Sequence, residues 1–194
     1  PDPNNDPVVY RSFISSMDDR IQPSAAAGYY LGEVVLSLAD RDLDGFLRAN
    51  KPNTLPVEQS KLFALIGNNF GGDSTSFVVP GLSAQLPETG LTYLINDSGV
   101  LPPVATKAAQ VTKAGNIKYV PIPISYLLDV DDRVHLGEII LAKTGDNGAL
   151  SRRLVPCDGR SAFVYTELRD LVGGSLATLP DLSLVSPIPG AQYY

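Results

Sequence analysis

Acidic runs, a pair of carboxylates in matched settings, a lone thiol and a lone imidazole are the residues of this chain with the types and spacing to do chemistry. Asp40, Asp42 and Asp44 alternate ahead of Gly45, as in the opening of a calcium loop, where alternate side-chain oxygens face one ion. An EF-hand loop also needs a bidentate Glu at its twelfth position; counting from Asp40 that position is Lys51, so the run reads as a solvated turn. Asp129, Asp131 and Asp132 ahead of Arg133 read as a second solvated bend. Glu33 and Glu138 each follow Leu-Gly and precede an apolar run. Two carboxylates can serve acid–base catalysis, but their recurrence in the same local setting predicts a structural partner for each, a backbone N–H or an Arg.

Ser60, Ser151 and His135 have no spacing that assembles a triad, and no Gly-x-Ser-x-Gly elbow is present. Cys157 is the only cysteine, which rules out an intrachain disulfide and leaves a small, core-seeking side chain. His135 is also alone, so a multi-histidine metal site is excluded. Gly71-Gly72-Asp73 lacks the Lys-Ser/Thr and the following helix of a phosphate loop. Asn96-Asp97-Ser98 is a formal N-glycosylation sequon. The expectation is therefore no catalytic residue, no metal and no cofactor. A secreted hydrolase is the alternative of another class, and it would require a deep cleft with clustered carboxylates.

The elements that must position these residues follow from composition and pattern. Apolar residues make up 44% of the 194, enough for a packed core. Seventeen Gly and sixteen Pro predict many short elements joined by turns. A net charge of −6 without a basic run argues against nucleic acid as a partner, and no apolar run is long enough to span a bilayer. Starting at Pro1 rather than Met, the chain carries the expectation of a removed leader, and hence of secretion, or else of an incomplete N-terminus.

Asp6-Pro7 has the chemistry of a helix start, and Val9, Tyr10, Phe13, Ile14, Met17 and Ile21 recur with a 3.6-residue period, predicting an amphipathic helix that ends before Pro23. The competing reading is an extended Val8-Val9-Tyr10 that adds to a neighbouring subunit's sheet. Strands are predicted at Tyr29–Leu38, Phe46–Ala49 and Leu91–Ile95. Between them, Leu55–Gly67 predicts a helix with Pro56 in its first turn, Leu62, Phe63, Leu65 and Ile66 on one face, and Gly67 as its stop. Ile117–Tyr126 reads as extended, with Pro121 and Pro123 confining it to an edge or a connection.

The order of these features carries a resemblance. Leu55-Pro56, Leu62-Phe63-Ala64-Leu65-Ile66-Gly67, Asn68-Asn69-Phe70-Gly71-Gly72-Asp73 and Phe77-Val78-Val79-Pro80-Gly81-Leu82, with the upstream Gly32-Glu33-Val34-Val35-Leu36, resemble the phage tail collar domain of short tail fibres and microcystin-dependent proteins. Much of the pattern recurs. Leu31-Gly-Glu-Val-Val-Leu36 returns as Leu136-Gly-Glu-Ile-Ile-Leu141, Ser60–Gly67 loosely as Thr166–Gly173, and Val79-Pro-Gly-Leu82 as Leu179-Pro-Asp-Leu182. Leu154-Val-Pro-Cys-Asp-Gly-Arg160 resembles the family's Cys-Asp-Gly turn. The second copy lacks the Phe-Gly-Gly-Asp turn, and Ser83-Ala-Gln85 and Ser183-Leu-Val185 stand where the family often has Arg-Gly-Arg.

The expected fold is thus α+β and β-rich: two tandem small collar-like modules, each with short strands and one short helix, plus extended or helical terminal segments. The boundaries are 1–28 for an N-terminal assembly segment and hinge, 29–99 for the first module, 100–134 for a crossing segment, 135–184 for a shortened second module and 185–194 for an extended tail. Leu62, Phe63, Leu65, Ile66, Leu168, Leu171 and Val172 are the expected module core, and Val9, Tyr10, Phe13, Ile14, Met17, Tyr193 and Tyr194 the expected self-assembly residues. The resemblance implies a structural subunit of an extracellular or cell-surface fibre, with copies of itself as partners. The alternative it implies is a virion tail-fibre component that recognises a host-surface glycan or protein.

Overall fold

The computed structural model describes residues 8–14, 29–38, 43–83, 90–99, 112–123, 136–143, 154–172, 174, 177–187, 189 and 191–194. Among these the protein is β-rich α+β: one large antiparallel sheet, one two-stranded sheet and two short α-helices.

Val8–Ile14 (β1) is a strand, not part of the amphipathic helix expected to end before Pro23; residues 15–28 lie outside the described set. Its apolar positions fit both periods, and long-range pairing decides between them. β1 runs antiparallel to Ile117–Pro123 (β8) along its whole length, from Val8↔Pro123 to Ile14↔Ile117. The β-branched and aromatic side chains suit that pleat better than a helix, where their χ1 freedom is lost. The extended reading of Val8-Val9-Tyr10 thus holds over the helical one, and within the single chain its partners are β8, β2 and β10.

On its other edge β1 meets two more strands. Ser12 and Phe13 pair with Val34 and Glu33 of Glu33–Ser37 (β2), while Val9 and Tyr10 pair with Ala142 and Leu141 of Leu141–Lys143 (β10). The far end of β2 in turn pairs with Glu138–Ile139 (β9), through Leu36↔Ile139 and Ser37↔Glu138. Three segments, β1, β2 and β9–β10, therefore meet at one junction, the second half of each paired with the first half of the next. Each has an outer partner as well: β8 for β1, Thr92–Asn96 (β6) for β2, and Ala191–Tyr193 (β11) for β10. Phe46–Arg48 (β3) extends the sheet beyond β6, and Thr112–Ala114 (β7) pairs with the start of β8 through the two-residue loop Gly115-Asn116.

The stretch expected to cross between modules thus contributes two strands to the main sheet. In a two-residue hairpin the flanking residues, here Ala114 and Ile117, exchange both hydrogen bonds. By alternation the backbone groups of Tyr119, Pro121 and Pro123 also face away from β1. The prolines occupy positions where β1 needs no N–H donor, which is how β8 tolerates them.

Tyr10 and Ile14 of β1, Val34 and Leu36 of β2, and Leu141 of β10 join one hydrophobic core, completed by Leu62, Ile66, Phe77, Val79, Leu82 and Leu182. Phe13 lies on the opposite face of β1, in a small cluster with Tyr30 and Val120. The expected helix at 55–67 is shorter than predicted. Asn53–Pro56 (β4) is a strand paired with Ser76–Val79 (β5), Val57–Gln59 is a 3-10 turn, and only Phe63–Ile66 (α1) is α-helical. Pairing with β5 satisfies the backbone up to Pro56, so the helix starts later. Gly67 ends it at φ 49°, as expected. Thr166–Leu171 (α2) matches the second expected helix.

Gly72 closes the turn ahead of β5 at φ 117°, and a Cβ there would lie 2.3 Å from the carbonyl oxygen of Ser76, so no other residue fits. Beside it, the Asp73 carboxylate accepts from the backbone N–H and hydroxyl of Thr75 and the backbone N–H and hydroxyl of Ser76. These bonds, the Thr75 N–H foremost, hold its pKa down at about 2.

Two outcomes follow from this packing. Leu62→Ala removes a side chain with no exposed surface and should cost about 2–5 kcal/mol in urea unfolding, with Leu168→Ala, half-buried on α2, costing less. Because the pKa of Asp73 is depressed, its turn is intact above the ordinary carboxylate range and loosens only as pH falls through about 2. The amide resonances of Thr75 and Ser76 should titrate there, and a midpoint near 3.8 would refute the bonding described.

Candidate assembly site at the three-strand junction

The slot that holds β1 is lined by β8 on one edge and by β2 and β10 on the other, and it is here that the chain gathers its buried charge. Arg11 of β1 forms an ion pair with Glu33 of β2, both essentially buried. Glu33 also accepts the Tyr30 backbone N–H at 2.9 Å. Both kinds of partner expected for this carboxylate, a backbone N–H and an Arg, are present. Glu138 takes a different one, the Tyr29 hydroxyl at 2.6 Å. The Tyr29 ring in turn lies 5.5 Å from the Arg11 guanidinium and edge-on to Phe46. Buried Lys118 lies on the rung Lys118↔Phe13↔Glu33.

Three tyrosines converge at the same junction from the three outer strands. Tyr93, Tyr119 and Tyr193 share rungs with Leu36, Ser12 and Leu141 respectively. The Tyr193 hydroxyl hydrogen-bonds to that of Tyr119, and burial pushes all three phenols above their ordinary range. The junction encloses about 30 Å³, lined in part by Arg11, Glu33, Glu138 and the three tyrosines. That is room for a water molecule or two and for nothing of substrate size.

Of the residues expected to drive self-assembly, Val9, Tyr10, Phe13 and Ile14 lie on β1, with Phe13 and Ile14 buried. Met17 is outside the described residues. Tyr193 and Tyr194, expected on an extended tail, instead lie in the sheet. Tyr193 is on β11, Tyr194 exchanges both backbone hydrogen bonds with Ile140, and both side chains are buried. In the expected module core, Leu62 and Ile66 are fully buried, and Phe63 and Leu65 pack against the core. Leu168, Leu171 and Val172 are half-buried.

The remaining candidates resolve into structural contacts. Ser60 donates to Asp97, which also accepts the Leu62 N–H and so ties the start of α1 to the end of β6. Cys157 is buried, and desolvation with the nearby Asp158 charge pushes its thiol up to about 12, leaving no thiolate at neutral pH. Asn96 is buried, its amide donating to the carbonyls of Tyr30 and Ser98, so the folded chain has no room for a glycan at that sequon. Asp44 is exposed; Asp40, Asp42, Asp129, Asp131, Asp132, His135 and Ser151 lie outside the described residues.

Sequence reasoning missed the tyrosine cluster. A signal was available: Tyr93 and Tyr193 stand the same number of residues beyond Leu82 and Leu182, the ends of the recurring Pro-Gly/Asp-Leu motif. Nothing comparable marks Tyr119. No family model, curated protein or solved structure matches the chain.

Breaking the Arg11–Glu33 pair at one end removes half of a buried ion pair. Arg11→Met should cost about 3–5 kcal/mol in urea unfolding. Adding Glu33→Gln should recover part of that loss, and strictly additive costs would show the two side chains to be uncoupled.

Proposed function

We propose that this chain is a structural, self-assembling subunit of an extracellular or cell-surface fibre, built from two tandem collar-like modules and working by contact rather than by bond-breaking. The observation that carries the module reading is a repeated hydrogen-bond path. Ala49 donates its N–H to the Tyr93 carbonyl and accepts the Leu82 N–H; Cys157 donates to the Tyr193 carbonyl and accepts the Leu182 N–H. The helix-to-strand contact repeats too. Gly32 is covered by Leu65 and Gly137 by Leu171, so closely that a Cβ on either glycine would meet the leucine's methyl at 2.2 or 2.6 Å. These pairs fall on the residues aligned by the sequence repeat.

The assembly reading draws on the placement of the chemically capable side chains. Glu33, Glu138, Ser60, Asp97 and Cys157 are each taken up by a packing or hydrogen-bonding role. One observation favours the second reading, a virion tail-fibre component that touches a host-surface protein or glycan. The second module exposes Phe163, Val164 and Leu184 at 73%, 75% and 96%, more apolar surface than a solvated turn needs.

Negative-stain imaging of the purified chain at rising concentration separates these readings. Fibres that lengthen with concentration are the expected result. Discrete monomers or closed oligomers at every concentration would overturn the fibre reading, and would favour the second if Phe163→Ser together with Leu184→Ser abolished adsorption to host cells.

A further inference from the structure

We propose that β1 is exchanged between copies, so that the slot between β8 on one side and β2 and β10 on the other is filled by Val8–Ile14 of a second copy of this chain. The inference rests on the fibre reading and supplies the joint that such a fibre needs.

β1 differs in kind from the two strands it meets at the junction. β2 finds its outer partner, β6, within its own stretch of chain, and β10 finds β11 in the same way. The outer partner of β1 is β8, beyond β2, β3, β4, β5, β6 and β7 in sequence. All the strands that line the slot come from residues 33–143, and none depends on β1 being covalently attached nearby. The contacts that hold it are specific to register: Arg11 reaches Glu33, Phe13 packs on Tyr30 and Val120, and Ile14 donates its N–H to the Gly32 carbonyl at 2.8 Å. A strand from another copy makes all of them unchanged.

Since the contacts are the same in both arrangements, the linker sets the balance. Residues 15–28 join β1 to Tyr29 and reach roughly 50 Å at full extension, at about 3.3–3.6 Å per residue. A short linker gives the closed arrangement an effective concentration of about millimolar. Dilute chains therefore close on themselves, and exchange wins where copies are held side by side, as in a fibre. This is domain swapping with the N-terminal strand as the swapped element.

The test places cysteines on one rung. Tyr10 and Pro121 face each other without mutual hydrogen bonds, the antiparallel geometry whose Cα separation suits a disulfide. The full chain carrying Tyr10→Cys, Pro121→Cys and Cys157→Ser is assembled at high concentration, oxidised, dissolved in SDS without reductant and run on a gel. A ladder of covalent multimers that collapses to monomer with reductant is expected. Fibres that dissolve entirely into internally crosslinked monomers would overturn the exchange while leaving the fibre reading intact. If the unaltered chain forms no fibres under the microscope, the reading itself fails and the inference with it. Should the cysteine variant not fold, excess synthetic peptide 1–14 is added to the unaltered chain during assembly. Exchange predicts fibres shortened several-fold by slots already filled, and an unchanged length distribution would overturn it.

Discussion

A strand in the interior of a sheet must hand each backbone N–H and C=O to a neighbour, and β1 does so with partners drawn from three separate parts of the chain. Take it out and β8 loses its whole inner edge, while β2 and β10 are each left half-paired. The buried Arg11 would go with it, taking the guanidinium away from the Glu33 carboxylate in a low-dielectric setting. The junction is thus an all-or-nothing arrangement. Polar pairing and apolar packing on the two faces of β1 reinforce one another, because the same register that brings Arg11 to Glu33 puts Ile14 into the main core.

What could be read from the sequence was what local pattern determines. The apolar run after Leu31-Gly32 became β2, Leu91–Ile95 became β6 within a residue, Gly67 stopped α1, and Thr166 opened α2. The reading of Glu33 as a structural carboxylate also came from local context, since it recurs at Glu138. The failures share one cause. Val8–Ile14 carries a pattern that serves helix and strand alike, and only β8, far along the chain, decides between them. Tyr193 and Tyr194 looked like loose aromatics because their partners, Leu141 and Ile140, are distant in sequence. Leu55–Gln59 was assigned to the helix because the pull of β5 on β4 is invisible in the residues themselves.

The site was legible in part. Sequence named four of the residues on β1, but it cast them as a docking face rather than as the middle of a sheet. The three tyrosines at the junction could not be foreseen together. Two are tied to a repeating motif, whereas Tyr119 comes from a Pro-rich stretch that reads as a connection. Their convergence is a property of topology: three outer strands, each carrying a phenol at the rung nearest the meeting point.

The prolines of β8 have an effect that reaches past the strand itself. Pro121 and Pro123 deny the outward side of β8 the donors that a stray strand would seek, beyond the stretch that β7 covers. Sideways accretion of sheets is therefore discouraged at that margin, whatever else the molecule does at its ends. In a fibre of the kind proposed, that bias would favour lengthening over thickening.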